Sequence, residues 1–169
     1  FDPPRAKEAF YKAAKIAKQA GTKVSLSLSD AFCVGRYRAE FLDLIKNHVD
    51  ILFANETEIT SLFEVDNFDK ALQQIRGHCE IAALTRSEKG SVVVKGDEVH
   101  VIDAEKGVKV IDTTGAGDAY AAGFLFGYTQ GKGLAQAGKL GGMLAAEVIS
   151  HYGARAESDL KQMAKKAFA

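Results

Sequence analysis

Apolar residues recur at helical spacing near the start of the chain, where Ala9, Ala13, Ile16, Ala17 and Ala20 share one face. Asp2 followed by Pro3 predicts an N-cap with proline in the first turn, and Gly21 predicts the stop. The period then changes to two. Val24, Leu26 and Leu28 alternate across Lys23 to Leu28 and predict a strand. Arg36 to Asn47 is predicted helical, with Phe41, Leu42, Leu44 and Ile45 apolar. Val49 to Ala54 is a nearly continuous apolar run ending at Asn55, the pattern of a strand buried on both faces.

The alternation repeats. Glu56 to Phe63 and Asn67 to Arg76 read as helices, and Cys79 to Leu84 as another buried strand. Ser91 to Val94 and Glu98 to Ile102 flank Lys95-Gly96-Asp97 and predict a hairpin. Val108 to Ile111 is predicted as a last short strand. Three helices follow, over Ala116 to Gln130, Leu134 to His151 and Ser158 to Phe168. Ten of the 16 glycines fall between Gly115 and Gly153, so the helical end of the chain is unusually glycine-rich. Strands alternating with helices predict an α/β fold with a mostly parallel sheet.

Composition narrows the function. With 22 Lys+Arg against 22 Asp+Glu in 169 residues, the net charge is zero, which gives no pull towards nucleic acid or an anionic membrane. No apolar run is long enough to span a bilayer. Cys33 and Cys79 fit neither a disulfide framework nor a CxxC pair, and a reducing cytoplasm is the expected location. The chain opens on Phe1-Asp2-Pro3-Pro4, without an initiator Met or a signal-peptide pattern, and is expected to be a piece of something longer.

The strongest chemical feature is Asp112-Thr113-Thr114-Gly115-Ala116-Gly117-Asp118, predicted to lie between a strand and a helix. Gly115 and Gly117 let the backbone turn sharply and approach a ligand closely. The first helical turn offers unpaired N–H groups and the positive end of the helix dipole, a site suited to phosphate. Asp118 would repel a phosphate bound there, unless its carboxylate takes a proton from a hydroxyl that attacks the phosphoryl group. For an isolated GxG the usual reading is plainer: a tight turn that the glycines permit, with Asp118 a helix N-terminal residue satisfying backbone N–H groups. A dinucleotide fingerprint needs glycine where the chain has Tyr120, and no GxxxxGK[ST] loop occurs.

This segment resembles the DTxGAGD signature of the PfkB family of ribokinase-like sugar and nucleoside kinases. Asn55-Glu56-Thr57-Glu58 resembles that family's NxxE motif, and Thr85 to Gly90 its TxGxxG nucleotide turn. Leu140 to Ala154 resembles the late helix and loop bordering the adenine. Ser27 to Val34 and Glu147 to Arg155 look most like bacterial adenosine kinases. The resemblance runs through the chain as the C-terminal part of one kinase domain over residues 1–169. It implies a three-layer α/β/α sandwich without the family's lid sheet, a missing N-terminal part as partner, and a homodimer as one arrangement.

The resemblance further implies ATP and Mg²⁺ as cofactors and a small sugar or nucleoside as acceptor, adenosine first. In that reading Asp118 is the catalytic base, and the N–H groups of Gly115, Ala116 and Gly117 form the anion hole. Asn55 and Glu58 hold water around Mg²⁺, while backbone groups of Asp112 and Thr114 line a monovalent-cation (K⁺) site. Thr85, Ser87 and Gly90 meet nucleotide phosphate, and Gly142 and Ala145 lie beside the adenine. Ser87 stands where the family usually has glycine, and Gly142 where relatives often carry Asn.

Each residue also has a plainer reading. Asn55 with Glu58 makes a capping box, and Asn55-Glu56-Thr57 also fits a glycosylation sequon. Thr85 to Gly90 is a turn between strands, and Gly142, Ala145 and Ala146 suit close helix packing. His48, His78, His100 and His151 show no metal-ligand spacing. Arg36, Arg38 and Lys46 fit a solvated helix face. Two other functional readings stay open: a nucleotide-binding module without catalysis, and a phosphomethylpyrimidine-type kinase.

Overall fold

The computed structural model describes residues 1–3 and 5–169, so Pro4 of the opening lies outside the described residues. The elements run α1 (Ala6–Gln19), β1 (Ser25–Ser27), α2 (Ala31–Arg36), α3 (Arg38–His48), β2 (Ile51–Asn55), α4 (Glu56–Phe63) and α5 (Phe68–Ile75). There follow β3 (Ile81–Thr85), β4 (Ser91–Lys95), β5 (Glu98–Ile102), α6 (Ala116–Thr129), α7 (Leu134–Val148) and α8 (Leu160–Phe168). The strands form one sheet in the order β1-β2-β3-β4-β5. β1 and β2 pair in parallel, with Ser25 beside Ile51 and Ser27 beside Phe53. Helices fill the connections from β1 to β2 and from β2 to β3, as parallel neighbours require. The links into and out of β4 are too short for a crossover, so β4 runs against its neighbours. The sheet is therefore mostly parallel and flanked by helices, as the alternation predicts.

The chain divides into two compact units, Phe1–Leu84 with Val94–Glu98, and Thr85–Val93 with Val99–Ala169. In the first, Ile51 to Ala54 of β2 and Ile81 to Leu84 of β3 are all buried, the two-sided burial that their apolar runs predict. Helix α1 packs on α3, α2 on α4, and α4 on α5. Ile45, Ile59, Leu62 and Ile75 are almost completely enclosed, each burial contributing about 1.5–3 kcal/mol.

Two expectations in this unit are corrected. Asp2 does not cap α1, which begins at Ala6 after Arg5 with no side-chain cap. The Asp2 carboxylate instead accepts from Arg36 Nη1 at 2.7 Å and the Tyr37 hydroxyl at 2.9 Å. The helix predicted from Arg36 is two helices broken at Tyr37, and the first starts earlier because Asp30 Oδ1 accepts the Phe32 N–H. Tyr37 leaves helical geometry while its hydroxyl is held by Asp2 and its ring lies against Phe1.

In the second unit α6 packs on α7, and α7 on α8. A Cβ on Gly123 would fall 2.9 Å from the Cα of Gly141, so the two helices touch backbone to backbone. Part of the glycine enrichment is thus a packing device. Tyr120 anchors α6 by donating its hydroxyl to Ser91 Oγ at 2.9 Å in the interior, and burial pushes its phenol up to about 12. The strand expected over Val108 to Ile111 does not form. Val110 and Ile111 are exposed, and the Ile111 N–H donates to the Ile149 carbonyl at 2.8 Å, beyond α7. Among the described residues no helix is long and apolar enough to cross a membrane. Both cysteines are free, and burial pushes the Cys79 thiol up to about 12, which makes it a poor nucleophile at neutral pH.

Candidate functional site

The segment Asp112 to Asp118 forms a turn leading into α6, and Gly115 is its pivot. Gly115 has φ 80°, in the left-handed region, and caps the helix without any side-chain hydrogen bond. A Cβ there would lie 2.6 Å from the Ala154 Cβ and 3.0 Å from its Cα. Only glycine fits. Downstream, Asp118 is exposed in the first turn of α6, at the positive end of the helix dipole.

The first N–H groups of α6 are left open. Those of Gly115, Gly117 and Asp118 have no partner among the described residues, whereas Ala116 N–H donates to the Thr113 carbonyl at 3.2 Å. Of the three N–H groups read from the sequence as an anion hole, that of Ala116 is therefore turned inward. Gly117 is helical, and a Cβ on it would meet no protein atom within 4 Å. Protein packing does not require glycine at that position. That position shares the first turn of the helix with the unpaired donors, an arrangement that admits a close-approaching anion.

Asp112 organises the turn. Its Oδ1 accepts the Thr114 N–H at 2.9 Å, and its Oδ2 accepts the Gly153 N–H at 3.1 Å. Hydrogen bonds from Thr114 and Gly153 hold this carboxyl below the usual range, with the charge of His151 adding to them. Gly153 and Ala154 thus clamp the turn from the loop after α7. Sequence reading placed that loop near adenine but did not foresee the clamp, because a hydrogen bond between distant residues leaves no local pattern.

Thr85 ends β3, and the turn after it satisfies itself. Arg86 N–H donates to the Gly90 carbonyl at 2.8 Å, and Gly90 N–H to the Ser87 carbonyl at 3.0 Å. Ser87 has φ 51°, so the position does adopt the left-handed backbone that favours the family's usual glycine. Gly90 is demanded by the protein itself, since a Cβ there would come within 2.0 Å of the Ile102 carbonyl. Gly142 is the reverse case: a Cβ on it would meet nothing, so helix packing does not explain it. Ala145 is half-buried on the same helix, α7.

Asn55 and Glu58 belong to the first unit, and all the other candidates to the second. Asn55, at the end of β2, caps α4 by accepting the Glu58 N–H at 2.8 Å. Glu58 Oε2 accepts the Asn55 N–H at 2.9 Å, and its Oε1 accepts from Asn55 Nδ2 at 2.8 Å. The capping box read from the sequence is therefore complete. Glu58 is buried, which raises its carboxyl above the usual range. The Asn55 N–H opposes that rise and the nearby negative charge of Asp30 adds to it.

Each Glu58 oxygen keeps a free lone pair after these bonds. No cluster of three His, Cys, Asp or Glu side chains among the described residues could hold a metal directly. The donor set fits Mg²⁺ only in the form that ion prefers with nucleotides, bound through water and phosphate oxygens rather than in a protein cage.

The pfkB family carbohydrate kinase pattern matches residues 1–161. A probable sugar kinase from Rhizobium etli superimposes with a TM-score of 0.94 and 51% identity, covering 98% of this chain and 51% of that one. The adenosine kinase of Sinorhizobium meliloti gives a TM-score of 0.93 and 50% identity, with the same 98% and 51% coverage. A nucleoside kinase from Methanocaldococcus jannaschii is 34% identical over 141 residues, 82% of this chain and 45% of that protein. The chain spans about half the length of the relatives it matches.

Proposed function

The chain belongs to the pfkB family of carbohydrate kinases, and on that premise we propose that it carries the nucleotide-binding and catalytic-base portion of a sugar or nucleoside kinase. The open N-terminus of α6 carries this reading. Unpartnered N–H groups of Gly117 and Asp118, free space over Gly117 and an exposed carboxylate meet in one helical turn.

The reaction moves the γ-phosphoryl group of ATP to a hydroxymethyl oxygen of the acceptor. Asp118 accepts the hydroxyl proton as that oxygen attacks. Negative charge develops on the phosphoryl oxygens, where preorganised N–H donors stabilise it most effectively. Gly115 and Gly117 supply donors in that role, and Ala116 joins once its bond to Thr113 is shared. Thr85, Ser87 and Gly90 are assigned to nucleotide phosphate, and Gly142 and Ala145 to the adenine. Asn55 and Glu58 would hold Mg²⁺ through water, and the bound ion would neutralise phosphate charge. The carbonyls of Asp112 and Thr114 are assigned to a monovalent cation such as K⁺. Adenosine is the leading acceptor, supported by the similarity to the Sinorhizobium meliloti protein.

We further propose that residues 1–169 form the C-terminal part of a single kinase domain, acting in the cytoplasm. The deciding experiment offers ATP and Mg²⁺ with a panel of acceptors to the parent protein: adenosine, other nucleosides, sugars and a hydroxymethylpyrimidine. Phosphorylation of adenosine, slowed about 10²–10⁴-fold in Asp118→Asn, is expected. ATP binding without transfer to any acceptor would turn the assignment to a binding module. Transfer to the pyrimidine alone would move it to that branch of kinases.

A further inference from the structure

The loop from Ile149 to Asp159 touches the signature turn on one side and the last turn of α7 on the other. Glu147, in that last turn, is enclosed to 9% side-chain exposure, unusual for a glutamate. Its Oε1 accepts the N–H groups of Glu157 and Ser158, both at 2.8 Å. Its Oε2 is buried and has no partner among the described residues. Burial by itself would raise this carboxyl, but the Ser158 and Glu157 N–H groups, joined by side-chain hydrogen bonds from Ser158 and His151, together hold the group below the usual range. His151 stands alongside, Nε2 3.5 Å from Glu147 Oε1 and Nδ1 3.9 Å from Glu157 Oε1. A half-satisfied buried carboxylate is costly to keep. Surface turns seldom need one.

We propose that Glu147 is a positioning residue for the signature turn. It holds the far end of the loop at Glu157 and Ser158. The middle of the same loop supplies the Gly153 N–H that binds Asp112 and the Ala154 backbone that packs on Gly115. Two carboxylates thus anchor one loop, and the loop in turn sets the left-handed pivot of the turn. Releasing the Glu147 anchor lets Gly153 and Ala154 withdraw. Asp112 and Gly115 then lose the contacts that keep the Gly117 and Asp118 N–H groups in place. The mechanical link depends only on this chain; its consequence for nucleotide rests on the function proposed above.

The test compares wild type, Glu147→Ala, Glu147→Gln and Glu147→Asp by amide hydrogen exchange in NMR and by calorimetric titration with ATP. In Glu147→Ala, the Gly153 and Thr114 amides are expected to exchange at least about tenfold faster, and ATP to bind about tenfold more weakly. Amides of Phe124 and Leu144 keep their rates, which separates the effect from general loosening. Glu147→Gln retains a carbonyl oxygen for both N–H groups and restores most of the protection and affinity. Should the alanine variant not fold, Glu147→Asp carries the same test, its shorter carboxylate giving a smaller change in the same direction. Faster exchange confined to Glu157 and Ser158 would overturn the proposal, and so would unchanged ATP affinity once Gly153 and Thr114 are loosened. A wild-type chain that binds no ATP would sink the nucleotide assignment, while the exchange rates still decide the link.

Discussion

Helices α4 and α6 treat their first N–H groups in opposite ways. At α4, Asn55 accepts the Glu58 N–H and Glu58 accepts the Asn55 N–H, so the helix start is closed by its own side chains. At α6, a left-handed glycine with no side chain makes the cap, and the N–H groups of Gly117 and Asp118 stay open. Each helix carries an acidic residue in its first turn, but in different settings. Glu58 is buried and committed to its cap, whereas the Asp118 carboxylate is exposed and accepts from no donor among the described residues. Acidic residues at helix starts are therefore poor evidence of function until the fate of the neighbouring N–H groups is known. Closing a terminus stabilises the protein. Leaving it open keeps it available to a ligand.

The sharpest way to break this contrast is Asp118→Asn. In the proposed role of general base, Asp118 should contribute about 10²–10⁴-fold to turnover, so kcat of the parent protein is expected to fall by that factor while ATP affinity survives. Unchanged turnover would return Asp118 to the same standing as any first-turn residue.

The two glycines of the turn should then separate in sign. Gly115→Ala forces a methyl into the left-handed region and onto Ala154, costing about 1–3 kcal/mol of stability in urea unfolding. Gly117→Ala meets open space on a helix, so stability holds or rises by up to about 1 kcal/mol. ATP should nonetheless bind about tenfold more weakly, as a methyl enters the ligand's space. Equal stability losses in both variants would show that Gly117 is a structural glycine after all.

For the closed terminus, Asn55→Ala removes the cap of α4 and should lower stability by about 1 kcal/mol. A urea midpoint equal to wild type would mean that water replaces the cap at no cost.

The smallest effect is a pH slope. The Tyr152 carbonyl chiefly, with Glu147 and Glu157, raises the His151 imidazole above its ordinary value, and its own desolvation opposes them. The folded state then binds the proton more tightly than the unfolded state. The resulting stability is fully present below the ordinary imidazole value and is lost as pH rises through the raised one. The urea midpoint of wild type should fall more between about pH 6 and about pH 8 than that of His151→Gln. Parallel slopes would remove His151 from the loop's electrostatics.

Legibility from sequence followed the range of the interactions. The continuous apolar runs at Val49 to Ala54 and Cys79 to Leu84 correspond to β2 and β3, because a strand buried on both faces admits little else. Helix α4 starts at Glu56 and its box is complete, since Asn55 and Glu58 are close enough to bond across one turn. Helix α6 starts at Ala116 as read, for the same local reason. Misreadings came where distant residues intervene. Asp2 is drawn from α1 by Arg36 and Tyr37, and the helix predicted from Arg36 is broken at Tyr37. The apolar letters of Val108 to Ile111 suggest a strand, but the Ile111 N–H donates to the Ile149 carbonyl just beyond α7 instead.

By itself the sequence determined the α/β class, the strands buried on both faces, the capping box and the glycine turn with its carboxylate. These depend on neighbours a few residues apart, and period and spacing carry them. Only the tertiary structure decided which donors of the turn remain free and which glycines are required by packing. It also decided that Asp112 is tied to Gly153 and that Glu147 holds the loop beyond. Such facts depend on atoms brought together across long stretches of chain, and packing, rather than local pattern, selects among the contacts that the residues could make.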